Sequence, residues 1–202
     1  MRKVLFLDCD GVLLDWTQPF LQWHANKVGG PILHASMVEH YDMTKTGKWP
    51  SKDAFFEDLR AFEKDDAWAA LPPLCTAMAL QGLVNAGIEL KVLTLAGHTS
   101  DCRARRVRNL SYHFGNVFSG VHFVTASEPK AEWLVAWSQR NTDAALLGIV
   151  EDKYTTLIDC YKQGINVYGI RQTYNREGWA DSSLNWSPGV DSLSHRLLME
   201  ML

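Results

Sequence analysis

Five short apolar runs, separated by segments of helical period, constrain this chain more than any other feature. They are residues 4–7 (VLFL), 89–95 (ELKVLTL), 121–125 (VHFVT), 145–150 (ALLGIV) and 166–170 (NVYGI). A strand covered on both faces is apolar on both, so it reads as a continuous run and not as an alternation. Between the later runs, residues 76–86, 100–113, 129–139 and 154–163 carry apolar residues at helical spacing. Strands that alternate with helices pair in parallel and cross over right-handed. The expected class is α/β: a Rossmann-like parallel sheet of about five strands with helices on both faces.

One interval breaks the alternation. From Asp15 to about Pro73 there is no strong buried-strand run. Helical patterns at 20–27 and 54–62 flank a turn-rich centre with Gly29, Gly30, Pro31, Gly47 and Pro50. The interval is too long for a plain loop in a compact domain. It reads as a small helical cap (16–73) inserted after the first strand of a core formed by 1–15 and 74–202. Residues 171–188 read as an irregular polar tail. A last amphipathic helix starts near Asp191, a candidate N-cap, and turns Leu193, Leu197 and Leu198 inward.

A length of 202 residues suits one domain with such an insertion. The net charge of −3 argues against nucleic acid polymers and acidic membranes as partners. The first apolar run is cut by Asp8, too early for a signal peptide. The longest uncharged stretch, 67–88, holds Pro72, Pro73, Gln81, Gly82, Asn85 and Gly87, so it reads as loop and helix and not as a membrane span. Cys9, Cys75, Cys102 and Cys160 form no CxxC pair, and the seven histidines lack metal-ligand spacing. A cytoplasmic monomer or homodimer is the expectation. Arg103, Arg105, Arg106 and Arg108 read as a solvated helix face, given the acidic balance.

Reactive groups gather at the strand ends. Asp8 and Asp10 follow the first run in DCDGVLLD. Residues i and i+2 of an extended segment share a side, which sends Cys9 into packing. Paired carboxylates repel unless a cation lies between them, and Mg²⁺ takes such hard oxygen ligands. The other reading of DxD alone is an acidic turn. Thr94 ends the second run, followed by backbone N–H groups and Gly97 that can hold an anion. Lys130 stands at a helix start with Ser127 and Pro129 as cap and first turn, a position that favours an anion nearby. Glu151 and Asp152 close the fourth run. Each alone is commonplace. Together, in this order, they fall at the carboxyl edge where α/β sheets bind ligands, and they suit phosphoryl transfer.

The series Asp8-Cys9-Asp10-Gly11-Val12, Thr94, Lys130 and Glu151-Asp152 resembles the four motifs of the haloacid dehalogenase superfamily, over essentially the whole chain. The second aspartate disfavours its dehalogenase branch. The resemblance implies a phosphoric monoester hydrolase. Asp8 would be the nucleophile that becomes an aspartyl-phosphate, and Asp10 the general acid and then base. Thr94 and Lys130 would steady the phosphoryl group. Mg²⁺ would be held by Asp8, the Asp10 backbone carbonyl, Asp152 as direct ligand, and Glu151 as ligand or neighbour of one.

The interval from Asp8 to Thr94 has room for a cap, and that from Thr94 to Lys130 does not. DGVLLDW, Phe56-x-Asp58-Leu59, Leu71-Pro72, His113-Phe114-Gly115 and Gln172-Thr173-Tyr174-Asn175-Arg176 look like the 5'(3')-deoxyribonucleotidase branch. Departures are Leu95, where that branch has a small hydroxyl residue, and a Glu-Asp metal pair. The resemblance implies a small phosphorylated substrate, a nucleoside monophosphate, with Leu95 and Ala96 against it. Trp16 falls where the branch stacks an aromatic on the base; its other reading is a cap-helix stripe with Phe20 and Trp23. The alternatives are a phosphatase for a sugar phosphate or other metabolite, and a non-catalytic binding domain.

Overall fold

A computed structural model of the chain describes residues 1–95 and 97–201. Strands β1 (Arg2–Leu7), β2 (Ile88–Thr94), β3 (Phe118–Phe123), β4 (Ala144–Glu151), β5 (Val167–Ile170) and β6 (Asn185–Ser187) form one sheet. Its order is β3-β2-β1-β4-β5-β6, with every pair parallel. Helices α1 (Thr17–Val28), α2 (Lys52–Phe62) and α3 (Asp66–Ala69) follow β1. Then come α4 (Ala77–Asn85), α5 (Ser100–Phe114), α6 (Lys130–Arg140), α7 (Tyr154–Lys162) and α8 (Val190–Glu200).

The central strand explains the two-sided core. In β1, Val4, Leu5, Phe6 and Leu7 are all buried. The pleat sends Val4 and Phe6 to one face, where they join Leu134 and Trp137 of α6 and Leu157 of α7. Leu5 and Leu7 join Leu80 and Leu83 of α4, Leu110 of α5 and Leu193 of α8 on the other. Trp133 and Trp137 pack edge-on against Phe6, with ring centroids 5.5 and 5.0 Å away.

The interval after β1 has its own aromatic centre. Phe20 is fully buried. It lies parallel to Trp49 at 5.4 Å, and Trp16, Trp23, Phe55 and Phe62 contact it too. Trp68 packs edge-on against Phe62. Phe20 and Trp23 therefore do form the apolar stripe that helical spacing suggests. Beside it, buried Asp58 accepts hydrogen bonds from Lys27 Nζ (2.6 Å) and Trp49 Nε1 (2.9 Å) and pairs with His24 Nδ1 (2.6 Å). Burial pushes the Asp58 carboxyl up, but the bonds from Lys27, Trp49 and His24 outweigh it and hold it below its ordinary value.

Four local readings are corrected. The tail contains a sixth strand, β6, whose three polar or aromatic residues carry no apolar run and depend on pairing with β5. Strand β3 begins at Phe118, earlier than the apolar run suggests. Helix α8 is capped by Gly189, and Asp191 instead accepts from the Thr76 N–H at 2.9 Å, tying α8 to the start of α4. Lys130 is the first residue of α6, with Pro129 at the cap, while the Ser127 hydroxyl pairs with Thr125. Among the described residues, no helix is long and apolar enough to cross a membrane. The four cysteines are buried and free.

Candidate active site

The sheet order places the reactive groups. The chain leaves β1 for β2 on one side and later reaches β4 on the other, so the carboxyl ends of β1 and β4 flank the point where the winding reverses. Leu7 is in register with Val150, and the Asp8 N–H continues the ladder to Val150 O at 2.8 Å. Asp8 therefore arrives beside Glu151 and Asp152. Carboxylate oxygens of these three buried residues lie within 4.8 Å of one another.

Lys130, from the first turn of α6, spans two of them. Its Nζ is 2.7 Å from Asp8 Oδ1 and 2.7 Å from Glu151 Oε2. The other Glu151 oxygen accepts from the backbone N–H groups of Asp152 (3.0 Å) and Lys153 (2.9 Å) where α7 starts. Glu151 thus satisfies a helix start and holds Lys130. Burial, with the Glu151 charge, pushes the Asp8 carboxyl up to about 7 despite Lys130. Burial likewise drives Asp152 well up, with Glu151 and Asp8 adding to it. Glu151 falls below its ordinary value, because Lys130 and the N–H donors outweigh its burial. Three buried carboxylates face one ammonium, an excess of negative charge in hard oxygen ligands. That donor set fits a divalent cation such as Mg²⁺.

Gly11 permits the close packing around Asp152. Its φ is +77°, and a Cβ there would collide with Asp152 Oδ2 and the Tyr174 hydroxyl. Tyr174 donates to Asp152 Oδ2. Asn175 Nδ2 donates to the Asp152 and Ile170 carbonyls at 2.6 and 2.8 Å. Gln172 Nε2 donates to Gly11 O at 2.7 Å. The segment read as an irregular tail therefore braces the site. Its QTYN residues served only as a branch marker in the sequence; polar residues directly after an apolar strand run were the available physical signal.

Asp10 stands apart from the three-carboxylate cluster. Its Oδ1 is 2.7 Å from Nη2 of Arg106 on α5. Burial raises the Asp10 carboxyl, and Arg106 and Lys130 pull against that rise. Arg106 is 0% exposed, so the reading of this arginine as part of a solvated face is wrong. Its neighbours do behave as surface residues: Arg108 is exposed, and Arg105 pairs with Asp101. The helix buries only the face bearing Cys102, Arg106, Asn109 and Leu110.

Thr94 ends β2 at the same sheet edge, is buried, and accepts the Val124 N–H through its carbonyl at 2.9 Å. Leu95 is 47% exposed. Ala96 lies outside the described residues. Trp16 is half-buried at the cap of α1, 5.7 Å from Phe20, and borders a crevice with Tyr41 and Tyr174. Next to it, a cavity of about 240 Å³ is lined by Gly11, Asp15, Thr17, Ser36, Gln172 and Tyr174 among others. Its described lining has one carboxylate, several hydroxyls and an amide, but no cationic side chain.

No known protein family and no curated protein matches the chain by sequence. Solved structures do. A haloacid dehalogenase-like hydrolase from Streptococcus pneumoniae superposes with a TM-score of 0.64 at 16% identity, covering 92% of each chain. L-2-haloacid dehalogenase from Xanthobacter autotrophicus gives 0.66 at 16% identity over 100% of both. D,D-heptose 1,7-bisphosphate phosphatase from B. bronchiseptica, solved with magnesium and phosphate, gives 0.55 at 13% identity over 98% of this chain and 99% of that one. At these identities the likeness is one of fold: a Rossmann-like α/β sheet shared with hydrolases of the haloacid dehalogenase superfamily.

Proposed function

We propose that this chain is a Mg²⁺-dependent phosphomonoesterase that works through an aspartyl-phosphate, with (deoxy)nucleoside monophosphates as substrates. The observation that carries the reading is the buried set of Asp8, Glu151 and Asp152 around Lys130, where β1 meets β4. Asp10 favours phosphoryl chemistry over dehalogenation, since it supplies a second acid–base group. The fold shared with phosphatases agrees with it.

Asp8 and Asp152 would hold Mg²⁺ directly with the Asp10 carbonyl. Glu151, already bonded to Lys130 and two backbone N–H groups, would orient them from behind. The bound cation would neutralise charge on the phosphoryl oxygens. Asp8 attacks phosphorus as the bond to the leaving oxygen breaks, and Asp10 gives that oxygen its proton. Asp10 then takes a proton from the water that releases phosphate and restores Asp8. Lys130 and Thr94 stabilise the transferring group.

The cavity beside Gly11 would take the alcohol portion. Its uncharged hydroxyl and amide groups also suit a sugar phosphate, the second reading. A phosphate-release assay over nucleoside monophosphates and sugar phosphates separates the two; a wide preference for sugar phosphates removes the nucleotidase reading. Asp8→Asn should abolish Mg²⁺-dependent hydrolysis while leaving the fold intact by circular dichroism. Retained turnover in that variant would falsify the nucleophile assignment and favour a differently catalytic domain, whereas a wild-type chain that hydrolyses no phosphomonoester would favour a non-catalytic one.

A further inference from the structure

We propose that Arg106 is the positioning residue for Asp10, holding the carboxylate that delivers the proton to the leaving oxygen. This rests on the phosphomonoesterase reading above. A guanidinium with no exposed surface is rare and costly, because desolvation is recovered only through close partners. Arg106 has few. Among the described residues its Nε and Nη1 have no hydrogen-bond partner. Its guanidinium carbon lies over Trp68 of α3, 3.8 Å from the ring centroid. Its ion pair is with Asp10 at 2.7 Å, and the angles there fall short of a formal hydrogen bond. Glu63, also buried, lies close enough to act on Asp10 but pairs with His98 instead.

A packing role alone would be served better by Leu or Met at this site. Arg106 differs from them in one respect that bears on chemistry: it pins one oxygen of Asp10. Asp10 Oδ1 is buried against Arg106, while the side chain as a whole keeps 21% exposure. Oδ2 is thus the oxygen left for the substrate. The Asp10 carboxylate also lies outside the cluster of Asp8, Glu151 and Asp152 carboxylates. Arg106, fully enclosed, touches no substrate; it acts only through Asp10. Trp68 clamps the guanidinium from the interval after β1, so that interval and α5 jointly set where the acid stands.

The test exploits leaving-group acidity. p-Nitrophenolate departs with little help from an acid, whereas an alkoxide needs the proton. Arg106→Met should lower kcat/KM for a nucleoside 5'-monophosphate (or glucose 6-phosphate, if that is the better substrate) by about 10²-fold. For p-nitrophenyl phosphate the same ratio, which ends at departure of the leaving group and so leaves out the later proton step of Asp10, should be nearly spared. Arg106→Lys should recover part of the loss. Asp10→Asn should show the same selectivity, and adding Arg106→Met to it should cost nothing further. Should Arg106→Met fail to fold, Trp68→Leu, which loosens the clamp, should reproduce the selectivity more weakly. Equal losses of kcat/KM on both substrates, or a full additional loss in the Asp10→Asn background, overturn the proposal in favour of packing. A flat leaving-group response in Asp10→Asn itself overturns the general-acid assignment, and this proposal with it.

Discussion

Asp8 is held near neutrality by its burial and by Glu151, which sets a direction for cation binding. A carboxyl raised to about 7 keeps its proton in the metal-free protein at mildly acidic pH, and a ligating carboxylate must lose it. Mg²⁺ affinity should therefore climb as pH rises through about 7, with proton release on binding below that point. Titration calorimetry in buffers of different ionisation enthalpy reads both. The same shift has a stability consequence. Between the unfolded value near 4 and about 7, the folded state binds more protons than the unfolded one. The Asp8 contribution to metal-free stability thus falls as pH rises through that window, and saturating Mg²⁺ should restore it. Gly11 makes a second residue-scale case. Gly11→Ala forces φ +77° on an L side chain and drives a methyl into Asp152 and Tyr174. It should cost at least about 2 kcal/mol in denaturant unfolding and weaken Mg²⁺ binding.

Among the elements, α1 and α2 are joined by a polar contact under an aromatic roof. Asp58 on α2 takes bonds from Lys27 and His24 of α1 and from Trp49. Asp58→Ala leaves His24 and Trp49 buried without that partner and should cost about 2 kcal/mol, measured by chemical denaturation. Because the Asp58 carboxyl is depressed when folded, its contribution is present above its unfolded value near 4 and lost as pH falls through the lower folded value. Wild type and variant should converge at strongly acidic pH. Helix α5 shows where sequence reasoning fails at this scale. Arg103, Arg105, Arg106 and Arg108 look alike in one dimension, and only the burial of one face by residues 63–71 separates Arg106 from the rest.

For the whole molecule, α5 is the joint between the interval after β1 and the sheet. Asn109 Nδ2 donates to the carbonyls of Ala69 (2.8 Å) and Leu71 (3.2 Å), and His113 Nε2 lies 2.9 Å from Leu71 O. The aromatic centre on Phe20 belongs to the same apolar cluster as Leu5 and Leu7 of β1. The two regions should unfold together. Calorimetry should show one transition, with amide protection in α2 matching that in β1; an early separate loss of α2 protection would contradict this.

The sequence by itself determined the α/β class, the position of the helical interval and the edge at which Asp8, Thr94, Lys130, Glu151 and Asp152 meet. Those follow from local periodicity and from parallel-strand chirality, which act within short windows. The sixth strand was invisible because Asn185–Ser187 gains its state only by pairing with β5. Only the tertiary structure decided that Gln172, Tyr174 and Asn175 brace Gly11 and Asp152, and that Arg106 is buried against Asp10. Such contacts join residues 22 to 161 positions apart, where burial is set by which faces the packing covers and no local pattern records the partner.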